Sequence, residues 1–135
     1  MALSDQIGGL QCRITGQRVL DNIGNSPAVE ITWQGEGSTD GIAYAAQGTY
    51  SAYMRCGFWC GELNAGMVLT PEGAAGVFTA SGVGHTTEDG GSSFRGPIYF
   101  WSDDKRLAPL NGRCFVYEWE VSPDGTAEAK VFEWG

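Results

Sequence analysis

Short turn motifs rich in glycine, proline and aspartate divide this chain into eight segments. No segment repeats its apolar residues with the 3.6-residue period of a helix, whereas several alternate apolar and polar residues as half-buried strands do. Many short strands separated by turns are typical of an all-β sandwich or barrel. We therefore predict strands at residues 9–20, 28–37, 42–54, 58–70, 74–87, 92–102, 113–122 and 126–134.

The tight turns also predict how the strands are connected. Sequential strands joined by short loops form an antiparallel meander, and eight strands are enough to close into a barrel without edges. Because 135 residues suit one domain, we predict a single antiparallel eight-stranded up-and-down β-barrel domain over residues 1–135. The longer connection at 103–112 is predicted to carry a short helical turn.

Turn chemistry predicts which residues face each other across each hairpin. With the predicted loops, most large apolar residues fall on one side of the sheet. A one-residue error in any loop would turn the side chains of that strand to the other side. The predicted loops are 40–41, 56–57, 71–73, 123–125 and either 89–90 or 88–91.

The side of the sheet that collects the apolar residues is predicted to line the barrel interior. Eight strands leave an interior that is either just filled by side chains or open to one small ligand, and small inward residues such as Gly48 and Gly61 favour the cavity. An apolar cavity with a few polar groups is typical of a small-molecule site. The candidate ligand-binding residues are Trp33, Tyr44, Tyr50, Met54, Trp59, Leu63, Ser81, Phe94, Ile98, Tyr117 and Trp119.

His85 is the only histidine of the chain. The predicted register turns it inward, opposite Trp59 and near one mouth of the barrel. Imidazole titrates near neutral pH, which suits proton transfer to a bound substrate. We therefore take His85 as the candidate catalytic residue. The alternative is a structural histidine at the rim, bonded to a tyrosine or to the backbone.

Four aromatic residues fall on the outer side of three neighbouring predicted strands. A monomer rarely exposes so much aromatic surface. Covering by the N-terminal segment or by the 103–112 connection is one explanation, and a subunit interface is the other. We predict a homo-oligomer formed through Phe58, Phe78, Tyr99 and Trp101.

The charge pattern argues against nucleic acid or an anionic membrane as a partner. Sixteen acidic residues against eight basic ones give a formal charge of −8, and the basic residues are scattered. No apolar run approaches the roughly 20 residues of a membrane span, and the first residues do not have the pattern of a secretory signal. We therefore expect a cytoplasmic location.

The four cysteines are expected to be reduced thiols in that compartment. Cys56 and Cys60 have three residues between them, where redox and zinc pairs usually have two, and no histidine or second pair completes a site. We predict neither a metal nor a cofactor.

The second half of the chain resembles a group of small uncharacterised prokaryotic proteins over about residues 76–134. The shared pattern is a G-x-G strand, a GG turn, the segment FRGPIYF, an LNG connection and a closing hairpin of aromatic and acidic residues. Such proteins are similar in strand plan to allene oxide cyclase-like barrels, which fold a reactive apolar substrate inside eight strands. The resemblance implies an apolar ligand and an oligomer, and it assigns no catalytic residue.

Three functions fit these expectations. The first is a lipocalin-like binding protein, which holds an apolar or aromatic small molecule in the interior of the barrel. The second is a cyclase or isomerase that acts on an apolar substrate, with His85 as general acid or base. The third is a structural or interaction protein with a filled barrel.

Overall fold

In the computed structural model, which describes residues 2–135 apart from the side chain of Asn64, eight antiparallel strands close into a barrel. Each strand pairs with the next one along the chain, and the last pairs with the first. The predicted eight-stranded antiparallel barrel is therefore confirmed. The strands are β1 (Gly8–Ile23), β2 (Ser26–Thr39), β3 (Ile42–Arg55), β4 (Phe58–Leu69), β5 (Ala75–Thr86), β6 (Ser92–Trp101), β7 (Phe115–Val121) and β8 (Thr126–Glu133).

Two hairpins turn on loops in which both residues have positive φ. Asp40 and Gly41 connect β2 to β3 with φ of 50° and 80°, and Cys56 and Gly57 connect β3 to β4 with φ of 51° and 85°. Positive φ at both central residues defines the type I′ turn, whose twist matches that of paired strands. Both loops were predicted correctly, and so were the residue pairs next to them.

Cys56 is expected to limit stability, because it holds a left-handed backbone at φ 51°. Asparagine tolerates this conformation better and is the preferred residue before glycine in a type I′ turn. We expect Cys56→Asn to raise the free energy of unfolding by about 0.5 to 1 kcal/mol, and the control Gly57→Ala to lower it by about 1 kcal/mol. Urea denaturation measures both. Equal stabilities for the two variants would contradict this turn geometry.

The loop between β5 and β6 differs from its prediction by one residue. The Thr87 N–H donates to the Gly91 carbonyl, so the loop spans the three residues 88–90. The loops at 71–73 and 123–125 are of the same type, in which the third residue is a glycine with positive φ, and both of those loops were predicted correctly. Thr86 consequently pairs with Ser92, and the even-numbered residues of β5 face inward instead of the odd-numbered ones.

This shift corrects several predicted positions on β5. Phe78, which was predicted on the outer side, is buried in the core with 7% of its surface exposed. His85, which was predicted inside, is exposed, and so is Val83 on the same face of β5. The predicted pair of Trp59 with His85 is also wrong, because Trp59 faces Gly84.

A bulge reverses the inward face of β4 partway along the strand. Leu63 pairs with Tyr50 of β3, but the next pair joins Ala65 to Thr49, so β4 carries one extra residue there. A β-bulge of this kind shifts every following side chain to the opposite face. Leu63 therefore lies inside before the bulge, while Val68, 2% exposed, lies inside after it.

Aromatic rings fill most of the interior. The Trp33 and Trp119 rings lie 5.1 Å apart between centroids, and Phe100 packs against Phe78 at 5.9 Å and Phe115 at 5.6 Å. Tilted and edge-on contacts at these distances are the preferred aromatic geometries. Each buried ring stabilises the fold by about 1.5 to 3 kcal/mol through burial alone.

One end of the barrel is covered by the connection that follows β6. Its short 3-10 helix at Ala108–Leu110 confirms the predicted helical turn, and Leu107 and Leu110 are buried there. Arg113 fastens this connection, since its guanidinium donates to Glu133 at 2.6 Å and to Asp40 at 2.9 Å. Within residues 2–135, no helix is long and apolar enough to span a bilayer.

The other end is narrowed by half-buried apolar side chains. Ile14, Val29, Trp59 and Val121 pack against the core from this side. The Trp59 indole N–H also donates to the Thr86 hydroxyl at 3.1 Å, which fixes the ring over the end of β5.

Candidate functional site

The packed interior retains a cavity of about 80 Å³. Its wall consists almost entirely of apolar side chains. Nine of the eleven predicted ligand-binding residues line this cavity, and their role in holding a ligand stays a prediction. They are Trp33, Tyr44, Tyr50, Leu63, Ser81, Phe94, Ile98, Tyr117 and Trp119.

Met54 and Trp59 do not line the cavity, although they were predicted to do so. They form a cross-strand pair at the end of the β3–β4 hairpin. Trp59 packs over the core at the narrowed end of the barrel. The prediction placed both residues on the correct face of the sheet but at the wrong position along the barrel axis. Alternation of side chains determines which face a residue is on, and it does not determine where along the barrel a cavity lies.

Four lining residues were missed by the sequence analysis: Glu62, Val68, Phe78 and Ala80. The last three follow from the two register errors, since the β4 bulge turns Val68 inward and the 88–90 loop turns Phe78 and Ala80 inward. The second error was avoidable, because EDG in this loop has the same form as PEG and PDG in the other three-residue turns.

The hydroxyl groups of the three tyrosines that line the cavity are neutral at physiological pH. Burial raises the pKa of Tyr44 and of Tyr117 to about 12 and also raises the pKa of Tyr50. Tyr44 shares a 2.7 Å hydrogen bond with the Thr39 hydroxyl. Tyr50 accepts the Trp119 indole N–H at 3.4 Å. These phenols can therefore orient a ligand by hydrogen bonds and place no charge in the cavity.

Tyr117 completes the barrel wall between β5 and β6. Pro97 of β6 has no N–H to donate to β5, and the Tyr117 hydroxyl donates instead to the Ser81 carbonyl at 2.9 Å. The phenol reaches this carbonyl because glycine occupies both neighbouring positions. A methyl group on Gly82 would fall against the Tyr117 hydroxyl, and one on Gly96 would fall against the Ser81 carbonyl.

Two exposed residues on β4 and β5 belong to the wall of the cavity. The ladder between these strands pairs Glu62 with Ser81 and resumes at Met67 with Val77, across the bulge in β4. Glu62 and Ser81 are both exposed, and both also line the cavity. We call this interruption of strand pairing the β4–β5 break. Exposed lining residues thus lie beside this interruption in the side of the barrel, whereas the sequence had predicted a mouth at one end.

His85 lies on the opposite side of the wall from the cavity. It is exposed in a shallow outer groove with Phe58 and Arg95, so its predicted inward position is wrong. Its cross-strand partner Ser93 donates its hydroxyl to Glu120 at 2.8 Å. The Ser93 hydroxyl is therefore not set up as a nucleophile with His85 as its base.

The cysteines are free thiols in this structure. Cys12 is buried, and burial raises its pKa to about 12, so it is an unreactive thiol. Across residues 2–135, no group of three histidine, cysteine, aspartate or glutamate side chains is arranged to hold a metal ion.

The fold is similar to three solved structures of small bacterial proteins. A conserved protein of unknown function from Rhodopseudomonas palustris matches with a TM-score of 0.81 at 16% identity, covering 98% of this chain and 96% of that one. A protein of unknown function from Clostridium acetobutylicum matches at 0.77 and 12%, with the same coverage. A beta-barrel like protein from Acinetobacter baumannii matches at 0.80 and 10%, covering 98% and 94%.

The chain has the fold of small β-barrel-like proteins of unknown function. No family model matches it, and no curated protein does either. At these identities the likeness concerns the fold alone. The expected resemblance to uncharacterised small barrels agrees with these neighbours, and the resemblance to allene oxide cyclase-like barrels stays a prediction.

Proposed function

We propose that this protein binds a small apolar or aromatic molecule inside its barrel. The observation that carries the proposal is an apolar cavity of about 80 Å³ whose wall includes exposed residues beside the β4–β5 break. Apart from Glu62 and Ser81, the groups around it are neutral phenols, apolar side chains and a glycine. Apolar walls with a few hydrogen-bonding groups are typical of small-molecule sites.

The size of the cavity restricts what enters it. Apolar cavities of roughly 150 Å³ bind benzene or xenon, and sites for drug-sized ligands measure roughly 300 to 1,000 Å³. A cavity of about 80 Å³ therefore takes a short alkyl chain or part of a small ring. A larger ligand would leave its remainder outside the barrel.

Titration with 1-hexanol tests this proposal. Burial of a methylene group contributes about 0.8 kcal/mol, so burial of the three to four carbons that fit this space predicts a Kd on the order of 5 to 20 mM. We expect saturable binding by calorimetry, together with shifts in the NMR signals of Phe94 and Ile98, which line the cavity. Shifts that do not saturate or that scatter over the surface would contradict the proposal.

His85→Ala is expected to leave the Kd for 1-hexanol within about twofold, because His85 faces outward across the wall. The same titration measures this. A tenfold loss of affinity would show that the histidine reaches the ligand. With His85 outside the cavity, a cyclase or isomerase function, which is the alternative predicted from the sequence, would depend on the hydroxyl of Tyr50 or Tyr117. Both tyrosines line the cavity and stay protonated.

A second candidate function is self-association through an outer apolar patch. The patch consists of Met67, Leu69, Val77, Tyr99 and Trp101, with 40% to 53% of each residue exposed. Val77 pairs with Met67 on one side and Trp101 on the other, so the patch is continuous across β4, β5 and β6. Of the predicted interface, Tyr99 and Trp101 belong to this patch, Phe78 is buried, and Phe58 lies at the far end of β4.

A second copy of this chain is the proposed partner for the patch. The five side chains expose on the order of 500 Å² of mostly apolar surface, and small neighbours such as Ala75 and Thr79 extend it toward the roughly 800 Å² per partner of a standard interface. The outward residues of these strand segments carry no charge, as in the centre of protein interfaces. A closed barrel has no strand edge to pair, so association has to use such a face.

Light scattering tests this second candidate. We expect the protein to have twice the mass of one chain, and Val77→Lys to reduce it to the monomer because two lysines would be buried in the interface. Val19→Lys is the matched control, since Val19 is 78% exposed on β1, outside the patch. A monomeric mass for the unmodified protein would rule out the dimer.

A further inference from the structure

Three features of the barrel point to the kind of molecule that enters it. One end is covered by the connection after β6 and the other is narrowed by apolar side chains, and exposed residues belong to the cavity wall beside the β4–β5 break, so we take the break as the route to the cavity. The cavity of about 80 Å³ is too small for a whole ligand of ordinary size. A ligand that fills it must therefore extend through the wall, with one part inside and one part at the surface.

Glu62 is the charged residue at the β4–β5 break. Its side chain is exposed and its residue lines the cavity. Within the described residues, none of the ion pairs involves Glu62, and the guanidinium of Arg95 on the same face lies 3.9 Å from Glu118. The carboxylate is thus free to pair with a charge that a ligand brings.

We propose that the ligand is a cationic amphiphile, with an apolar tail in the cavity and an ammonium head at Glu62. This inference rests on the proposed binding function. The apolar lining accepts the tail, and the Glu62 carboxylate attracts the head by an ion pair and a charge-assisted hydrogen bond. The formal charge of −8 reinforces this preference, because the field of the whole protein repels anions and attracts cations.

Three ligands of equal tail length test the proposal: hexylamine, 1-hexanol and hexanoate at pH 7. Hexylamine is expected to bind about two to five times more tightly than 1-hexanol, and hexanoate more weakly than either, because exposed ion pairs are worth up to roughly 1 kcal/mol. High salt should remove most of the difference. Calorimetry gives the three dissociation constants.

Glu62→Gln should bring hexylamine to the affinity of 1-hexanol and leave 1-hexanol unchanged. Glu128→Gln is the matched control, because Glu128 is an exposed glutamate on β8 and its loss alters the net charge equally. If the unmodified protein binds none of the three ligands, the proposed function itself is wrong. If 1-hexanol binds but Glu62→Gln does not change the ratio of the dissociation constants of 1-hexanol and hexylamine, only the position of the ammonium head is wrong.

The route of entry has a separate kinetic test. Ser81→Phe at the rim of the β4–β5 break should slow ligand exchange at least threefold, as measured by NMR line shapes. Thr86→Phe at the narrowed end of the barrel should not. The reverse result would mean that the ligand enters through the end of the barrel.

Discussion

Ala46→Leu is expected to abolish the binding of 1-hexanol while the barrel stays folded. Ala46 is 3% exposed on β3, and its methyl group borders the cavity. The three additional carbons of leucine would occupy most of a space of about 80 Å³. We expect the Kd to rise at least tenfold, and the free energy of unfolding to change by no more than about 1.5 kcal/mol because the new atoms fill a void.

Ala45→Leu is the control for this substitution. Ala45 is the exposed neighbour of Ala46 on the outer face of β3, so the same change there leaves the cavity untouched. Calorimetry compares the affinities, and urea denaturation compares the stabilities. Unchanged hexanol affinity in Ala46→Leu would mean that the ligand binds elsewhere, and equal losses in both variants would mean that the effect is not local.

Gly96→Ala is expected to lower the free energy of unfolding by at least about 3 kcal/mol. The added methyl group would fall against the Ser81 carbonyl oxygen and near the Gly82 Cα, both of which belong to the backbone of β5. Backbone atoms of a closed barrel cannot rotate away, so β5 and β6 would have to separate. The Tyr117 hydrogen bond to Ser81 would be strained with them.

Gly16→Ala is the matched control on β1, where the nearest atom to an added methyl group is the Thr32 Cβ at 4.0 Å. We expect the stability of this variant to stay within about 1 kcal/mol of the unmodified protein. Urea denaturation measures the two variants side by side. Equal effects in both would contradict the close approach of β5 and β6 at Gly96.

The hairpins show what local chemistry predicts well. A two-residue turn with positive φ at both positions fixes which residues pair beside it, so Trp33, Tyr44 and Tyr50 were placed inside correctly. The PDG turn did the same for Tyr117 and Trp119. In these hairpins the turn and the alternation of side chains agree, and together they define one face.

The bulge in β4 could not be predicted from turn motifs and alternation. It forms because β4 has to pair with β3 and β5 along a curved wall, and no turn motif marks it in the sequence. Met67 and Leu69 consequently lie on the outer patch instead of inside. The size of the cavity is likewise set by how the aromatic rings of distant strands pack, which alternation along single strands does not specify.

A crystal structure of the protein under xenon pressure tests the central claim most directly. Xenon enters apolar cavities of suitable size and is visible by its scattering. We expect one ordered xenon atom inside the barrel, in contact with Tyr50, Phe94 and Ile98, and its loss in Ala46→Leu. A barrel that stays empty of xenon, with sites confined to its surface, would contradict a ligand-binding interior.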